Sequence, residues 1–228
     1  MSLMDAGCEY GHWALEIAAR RPAWLVTGVD QDPEFIAAAR ASAEGLGIEN
    51  VSFVQANFLN HTPPRHYDIV LSIDSAHYLV EDEQGSALFT RFGSWLKPGG
   101  LLILLAPRRG EEVPQLPLLP PPFAPRPLFS REGLEALCRE GALELESLVP
   151  EIGVAGTVAK QVARATETSS IAFAATYPAQ IALSALDRLF RPRPHARRSA
   201  KWLLRARKPK GTEERTPRSD RSEPCESR

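Results

Sequence analysis

The chain has 228 residues, of which 43% are hydrophobic and 24% are charged, a composition typical of a globular protein with room for a full core. Its formal net charge of -1 excludes the clear basic excess that marks most nucleic-acid-binding proteins. The cysteines, at positions 8, 138 and 225, fit neither a disulfide framework nor a zinc site, so a cytoplasmic location is expected. No signal peptide is predicted. Pro178, Gln180 and Asp187 interrupt the apolar stretch at 171–190, so no transmembrane segment is predicted either.

Short apolar runs alternate with amphipathic stretches along the first half of the chain, as is typical of a parallel sheet with crossover helices. The predicted elements, in order, are a strand at 2–4, a helix at 11–20, a strand at 24–29, a helix at 32–43 and strands at 51–54 and 67–73. Asp32 and Pro33 form a good helix start, because a capping side chain is followed by proline at the first helical position.

The second half continues the alternation. We predict a helix at 82–96 that ends at the turn Lys97-Pro98-Gly99-Gly100, then a strand at 101–105, a helix at 130–140, and strands at 143–149 and 200–206. The fold class is therefore α/β, with a Rossmann-like, doubly wound, mostly parallel seven-stranded sheet and a helical insertion before the last strand. The predicted division is a core at 1–150, a helical insertion with a basic linker at 151–198, the last strand at 199–210 and a disordered tail at 211–228.

The segment Asp5-Ala6-Gly7-Cys8-Glu9-Tyr10-Gly11 lies between the first strand and the first helix, where open α/β sheets bind their ligands. Gly7 and Gly11 permit positive φ and close approach of a ligand to the backbone. Asp30, at the end of the second strand, is at the right distance along the chain to accept hydrogen bonds from both ribose hydroxyls. Together these residues predict a nucleoside-cofactor site.

The spacing of the glycines distinguishes two classes of cofactor. Dinucleotide dehydrogenases carry G-x-G-x-x-G, because a pyrophosphate presses on the backbone, and that spacing is missing here. The carboxylate of Asp5 would repel a pyrophosphate but suits an ammonium or sulfonium charge. The residues therefore favour a cationic cofactor over a nicotinamide dinucleotide.

These motifs resemble those of the class I S-adenosylmethionine-dependent methyltransferases, in the family's order and spacing, from Leu3 to Val149, and the segment Trp202–Pro209 is similar to the family's last strand. The matching motifs are Met4–Trp13, Val26–Pro33, Val54–Phe58, Tyr67–Tyr78 and Leu96–Gly100. The resemblance implies transfer of a methyl group from S-adenosyl-L-methionine to a small-molecule or lipid-like acceptor.

The resemblance also implies a set of cofactor-binding residues: Asp5, Ala6, Gly7, Gly11, Asp30, Gln31, Ala56, Asn57, Phe58 and Asp74. Segment 5–7 would hold the methionine portion, Asp30 the ribose, and Asn57 with Phe58 the adenine, while the backbone near Asp74 would line the methyl-donor side. His77 is the candidate catalytic residue, for which packing is the alternative. For Asp5 the alternative is a cap on the first helix.

The chain departs from the family pattern in three ways. Glu9 stands where the loop usually has its central glycine, and Asn57 replaces a usual aspartate. The family also usually carries helical segments before the first strand, and here they are missing. These departures leave a second hypothesis open, a non-catalytic protein that binds the cofactor through the same fold. The expected partners are a small-molecule or lipid-like substrate and, through the helical insertion, a second copy of the chain; no nucleic acid is expected.

Overall fold

A computed structural model describes residues 1–57, 60–76, 84–107, 129–151 and 201–210. The described part contains the strands β1 (Ser2–Ala6), β2 (Leu25–Asp30), β3 (Val51–Gln55), β4 (Tyr67–Ile73), β5 (Leu96–Pro107), β6 (Glu144–Glu151) and β7 (Lys201–Arg207). The helices are α1 (His12–Arg20), α2 (Pro33–Leu46), α3 (Gln84–Trp95) and α4 (Arg131–Glu140). Within these ranges, no helix combines the length and apolar character needed to cross a membrane.

The strands form one seven-stranded sheet in the order β3-β2-β1-β4-β5-β7-β6. The pairs from β3 to β5 are all parallel, whereas β7 runs antiparallel to both β5 and β6. The predicted mostly parallel α/β sheet is therefore confirmed. The chain moves outward from β1 to β3 and then returns to β4, so the direction of winding changes between β1 and β4, and ligands of open α/β sheets bind at such a point.

Local sequence signals explain where the helices begin. The side chain of Asp32 accepts hydrogen bonds from the N–H groups of Glu34 and Phe35, at 2.8 and 3.4 Å, and so caps α2. Ser130 caps α4 in the same way, accepting from the N–H of Gly133 at 3.0 Å. Both starts agree with the sequence prediction. The predicted helical insertion and tail lie outside the described residues.

Two differences from the sequence prediction bear on the site and on the sheet. Strand β1 extends to Ala6, so Asp5 is a buried strand residue and not part of the following loop. The segment Lys97–Gly100 belongs to β5 and does not form a separate turn. The register of β5 against β4 shifts there, because Tyr67 pairs with Leu96 while Ile69 pairs with Leu101. The proline and glycines thus produce an irregularity within a longer strand.

The sheet is covered by two clusters of buried apolar residues. One packs α3 and α4 against all the strands except β3, and the other packs α1 and α2 against β1, β2, β3 and β4. In the second cluster the ring of Phe53 lies directly against Gly11 and Gly28. A Cβ atom at Gly28 would lie 2.5 Å from Phe53 and 2.9 Å from the sulfur of Cys8. Close packing under the β1–α1 loop therefore depends on Gly28.

We expect Gly28→Ala to lower the free energy of unfolding by about 1–3 kcal/mol or more, because the added methyl group overpacks the site around Phe53. Gly45→Ala is the matched control. Nothing lies within 4 Å of a Cβ atom at Gly45, so alanine in helix α2 should raise the free energy of unfolding by about 0.5–1 kcal/mol. Urea denaturation measures both values. Equal effects of the two substitutions would contradict the packing assigned to Phe53.

Candidate functional site

The loop from Gly7 to Gly11 connects β1 to α1 and is anchored on β2. The N–H groups of Gly7 and Cys8 both donate to the carbonyl oxygen of Val29, at 2.8 and 3.1 Å. Gly7 and Gly11 have φ values of 81° and 77°, in the left-handed region that glycine favours. The positive φ expected for both glycines is therefore present, and the loop is held tightly at the winding change of the sheet.

Asp30 organises this loop from the end of β2. Its Oδ2 atom accepts a hydrogen bond from the N–H of Glu9 at 3.0 Å, and its Oδ1 atom accepts one from the N–H of Asp32 at 3.0 Å. The residue is 9% exposed. Since a carboxylate offers about four acceptor positions, each oxygen keeps capacity for a further donor. Asp30 thus orders the loop and retains acceptor capacity for a ligand.

Asp5 lies beneath the same loop and is 1% exposed. Burial raises the pKa of its carboxyl to about 7, while a hydrogen bond from the N–H of Ala14 opposes this shift and the charges of Asp30 and Glu9 add to it. Among the described residues, Oδ2 of Asp5 has no hydrogen-bond partner. A cation bound nearby would favour the ionised form of this carboxyl.

Glu9 and Cys8 belong to this loop, but neither side chain supplies a reactive group to the site. Glu9 adopts a φ of 46°, and its side chain is exposed, so only its backbone N–H contributes to the site. Cys8 is 6% exposed. Burial, and then the nearby charges of Asp5 and Asp30, raise the pKa of the Cys8 thiol far above its usual range. A thiol in this state is a poor nucleophile.

The ends of β2 and β3 carry the residues assigned to adenine. The N–H of Ala56 donates to the carbonyl oxygen of Asp30 at 2.8 Å, and the side-chain amide of Asn57 donates to Oε1 of Gln31 at 3.4 Å. The second contact joins the two strand ends beside Asp30. Phe58 and His77, also predicted as site residues, lie outside the described residues.

Asp74 follows β4 at the same edge of the sheet and has a φ of 54°. Its N–H donates to the carbonyl oxygen of Leu105 at 3.0 Å, and its Oδ2 atom forms an ion pair with Nζ of Lys201. The next residue, Ser75, donates from its hydroxyl to the carbonyl oxygen of Ala6 at 2.8 Å. The end of β4 is thereby joined to the end of β1.

Sequence reasoning missed Lys201 and Ser75. A lysine at the start of an amphipathic strand is ordinarily a solvated surface residue, and a serine in a loop carries no specific signal. The structure places both at the carboxyl edge, where the described predicted residues also meet: Asp5, Ala6, Gly7, Gly11, Asp30, Gln31, Ala56, Asn57 and Asp74.

The described residues fit a cationic nucleoside ligand. The carboxyls of Asp5 and Asp30 lie close together, because burial and then the charge of Asp30 raise the pKa of Asp5. These charges favour a positive ligand and disfavour a pyrophosphate. Asp30 supplies acceptor capacity for hydroxyls, and the two left-handed glycines shape the loop that a ligand would approach.

The segment that holds these residues is similar in sequence to known proteins. The methyltransferase domain family matches residues 3–100. A protein of Geobacillus sp. (strain WCH70) that carries the name of a methyltransferase is 33% identical over 102 residues, which cover 44% of this chain and 40% of that protein. The release factor glutamine methyltransferase of Salmonella typhimurium is 30% identical over 124 residues, covering 45% of each chain. The chain thus matches less than half the length of these curated relatives.

The solved structures extend the likeness in fold. The N-methyltransferase NodS from Bradyrhizobium japonicum WM9, in complex with S-adenosyl-L-homocysteine, superposes with a TM-score of 0.56 at 14% identity, over 91% of this chain and 78% of NodS. At this identity the likeness concerns the fold alone. The segment 3–100 is therefore similar in sequence to the methyltransferase domain family, and the seven-stranded sheet shares its fold with a solved methyltransferase.

Proposed function

We propose that this protein binds S-adenosyl-L-methionine at the carboxyl edge of β1, β2, β3 and β4 and transfers its methyl group to a small-molecule or lipid-like acceptor. The observation that carries the proposal is the placement of two carboxyls near each other, at the point where the winding of the sheet changes direction. Asp5 is buried beneath the glycine loop, and Asp30 holds that loop through the N–H of Glu9. This pairing suits a ligand that has both a positive charge and ribose hydroxyls.

In this proposal each part of the site has a separate task. Asp30 binds the ribose, the segment 5–7 holds the methionine portion, and Asn57 with Gln31 borders the adenine. The cofactor supplies a methyl carbon activated by its bond to a sulfonium. The protein's contribution is mainly to align the acceptor atom with that carbon and to exclude water, and positioning of this kind accounts for large accelerations without a reactive side chain.

The acceptor is proposed from the rest of the chain and not from its relatives. The names of two relatives refer to different acceptors, a glutamine of a release factor and an N-methylated substrate. The acceptor therefore does not follow from membership of the family. The formal net charge of -1 disfavours a nucleic-acid acceptor, and a small-molecule or lipid-like acceptor is our proposal for the class of substrate.

Isothermal titration calorimetry of the full chain tests the proposal. We expect saturable 1:1 binding of both S-adenosylmethionine and S-adenosylhomocysteine, and no binding of NAD, which serves as the control ligand. Binding of NAD in place of the other two would overturn the assignment of the cofactor. Formation of S-adenosylhomocysteine from S-adenosylmethionine with a panel of hydroxyl, carboxyl and amine acceptors then tests the transfer step.

A non-catalytic cofactor-binding protein is the second candidate, and the glutamate at position 9 is the feature that favours it. The structure weakens this argument, because the side chain of Glu9 is exposed and its N–H still donates to Asp30. Binding of both ligands without product formation from any acceptor in the panel would support the non-catalytic candidate.

A further inference from the structure

Lys201 is a buried cation at the edge of the sheet where the cofactor site is proposed. It is the first residue of β7, and because β7 runs antiparallel to β5, its start lies at the carboxyl edge beside Pro107. Its Nζ atom pairs with Oδ2 of Asp74. The Lys201 side chain is 2% exposed, whereas that of Asp74 is 31% exposed.

Burying an ammonium group is costly, since the group loses its hydration and only good pairing compensates for the loss. Lys201 is the only lysine or arginine among the described residues that is buried. The pair between Lys97 and Asp68, at the opposite edge of the same sheet, has side chains that are 45% and 28% exposed. That pair is an ordinary surface contact. Folding alone is a weak explanation for this buried lysine, because replacing a buried ion pair by apolar side chains of similar volume is often neutral or stabilising.

The pair is connected to the proposed cofactor site through the end of β4. Asp74 is held from two sides, by its N–H on Leu105 of β5 and by its carboxylate on Lys201 of β7. Ser75 continues the connection to the carbonyl oxygen of Ala6, immediately before the glycine loop. The conformation of residues 74–76 is therefore coupled both to β7 and to the loop at 7–11.

We propose that Lys201 is a positioning residue of the cofactor site and acts through Asp74. It holds the carboxylate of Asp74, and with it the segment 74–76, in the arrangement that the ligand meets on binding. Because this segment is already ordered, binding does not have to pay the entropy of ordering it. Lys201 itself does not contact the ligand, since its side chain is enclosed. The inference rests on the proposed function, because it requires a cofactor at this edge.

A double-mutant cycle tests the proposal with the variants Lys201→Met, Asp74→Asn and the two combined. Methionine has a similar volume to lysine, and asparagine tolerates the left-handed φ of position 74. Each single change should lower the melting temperature, because it removes one of the two opposite charges of the pair and leaves the other. The double variant should recover most of the melting temperature, because both charges are gone. Its affinity for S-adenosylhomocysteine should nevertheless stay at least about tenfold below wild type, because the charge-assisted contact between Lys201 and Asp74 then no longer holds segment 74–76 in place.

Lys97→Met is the matched control, since it breaks a lysine–aspartate pair remote from the site, and it should leave the affinity unchanged. Recovery of both stability and affinity in the double variant would overturn the proposal and make Lys201 a purely structural residue. The double variant is decisive even if Lys201→Met alone does not fold. Failure of the wild-type chain to bind S-adenosylhomocysteine would instead refute the proposed function, and this inference with it.

Discussion

Replacing Asp5 with asparagine should raise the free energy of unfolding by roughly 4 kcal/mol at pH 8 and change it little near pH 4. The reason is the burial of Asp5, which raises the pKa of its carboxyl from 3.8 to about 7 in the folded protein. A carboxyl with a raised pKa favours the folded state when it is protonated. Its contribution is fully present below the unfolded pKa and is lost as the pH rises toward 7.

Urea denaturation of wild type and Asp5→Asn between pH 4 and pH 8 checks this result. The difference in the free energy of unfolding should grow across this range in favour of the variant. Asp68→Asn is the control with the opposite sign. Although partial burial acts in the other direction, hydrogen bonds from Lys97 and Ser2 hold the pKa of Asp68 below its usual range. Asp68→Asn should therefore destabilise the protein at neutral pH. A pH-independent effect of Asp5→Asn would contradict the raised pKa.

The same ionisation affects binding of the proposed cofactor. A cation near Asp5 favours its charged form, so binding should release a proton below pH 7. The wild-type affinity for S-adenosylmethionine should then rise between pH 6 and pH 7, by up to about tenfold per pH unit, and level off above pH 7. Asp5→Asn should abolish this rise. Calorimetry in buffers of different ionisation enthalpy measures the proton release directly.

Asp30→Ala should weaken binding of both S-adenosylmethionine and S-adenosylhomocysteine by at least about 100-fold, because two charge-assisted hydrogen bonds to the ribose are lost. The variant should also lose about 1–3 kcal/mol of stability, since the N–H groups of Glu9 and Asp32 lose their shared acceptor. A domain that loses this much stability stays folded, so the expected loss of affinity comes from the binding site itself. It concerns both ligands because both carry the ribose.

The neighbouring acid supplies the matched control for Asp30→Ala. The carboxylate of Asp32 caps α2 through the N–H groups of Glu34 and Phe35. Asp32→Ala should therefore cost about 1 kcal/mol of stability and leave the affinity of the proposed site nearly unchanged. Calorimetric titration of both variants makes the comparison. Equal affinities of Asp30→Ala and wild type would remove Asp30 from the proposed site.

Much of the fold follows from patterns that act over short distances along the chain. The near-continuous apolar run Tyr67–Ile73 predicted β4 to the residue, because such a run is typical of a strand buried on both faces. Asp32 and Ser130 predicted two helix starts through capping, which involves residues only two or three positions apart. The meeting of Asp5 and Asp30 was predictable as well, since neighbouring parallel strands end at the same edge.

Other features depended on contacts between distant segments. Lys201 and Asp74 are separated by 127 positions, and their pairing depends on the insertion of β7 beside β5. No local pattern encodes this pairing. The sequence also placed Asp5 in the loop. Its position in the strand follows from the pairing of β1 with β2 as far as Ala6.

The sequence by itself determined the kind of fold and which acids lie near the proposed cofactor. Strand and helix periodicity, capping and glycine spacing involve residues close together along the chain, so they can be recognised in the sequence. The tertiary structure alone decided the pKa of Asp5 and the contacts that hold the acids of the site in place. Burial sets the pKa of Asp5, and packing of β7 against β5 brings Lys201 to Asp74. The physical reason is that desolvation and ion pairing depend on the residues that surround a group in space, and most of those residues are remote in sequence.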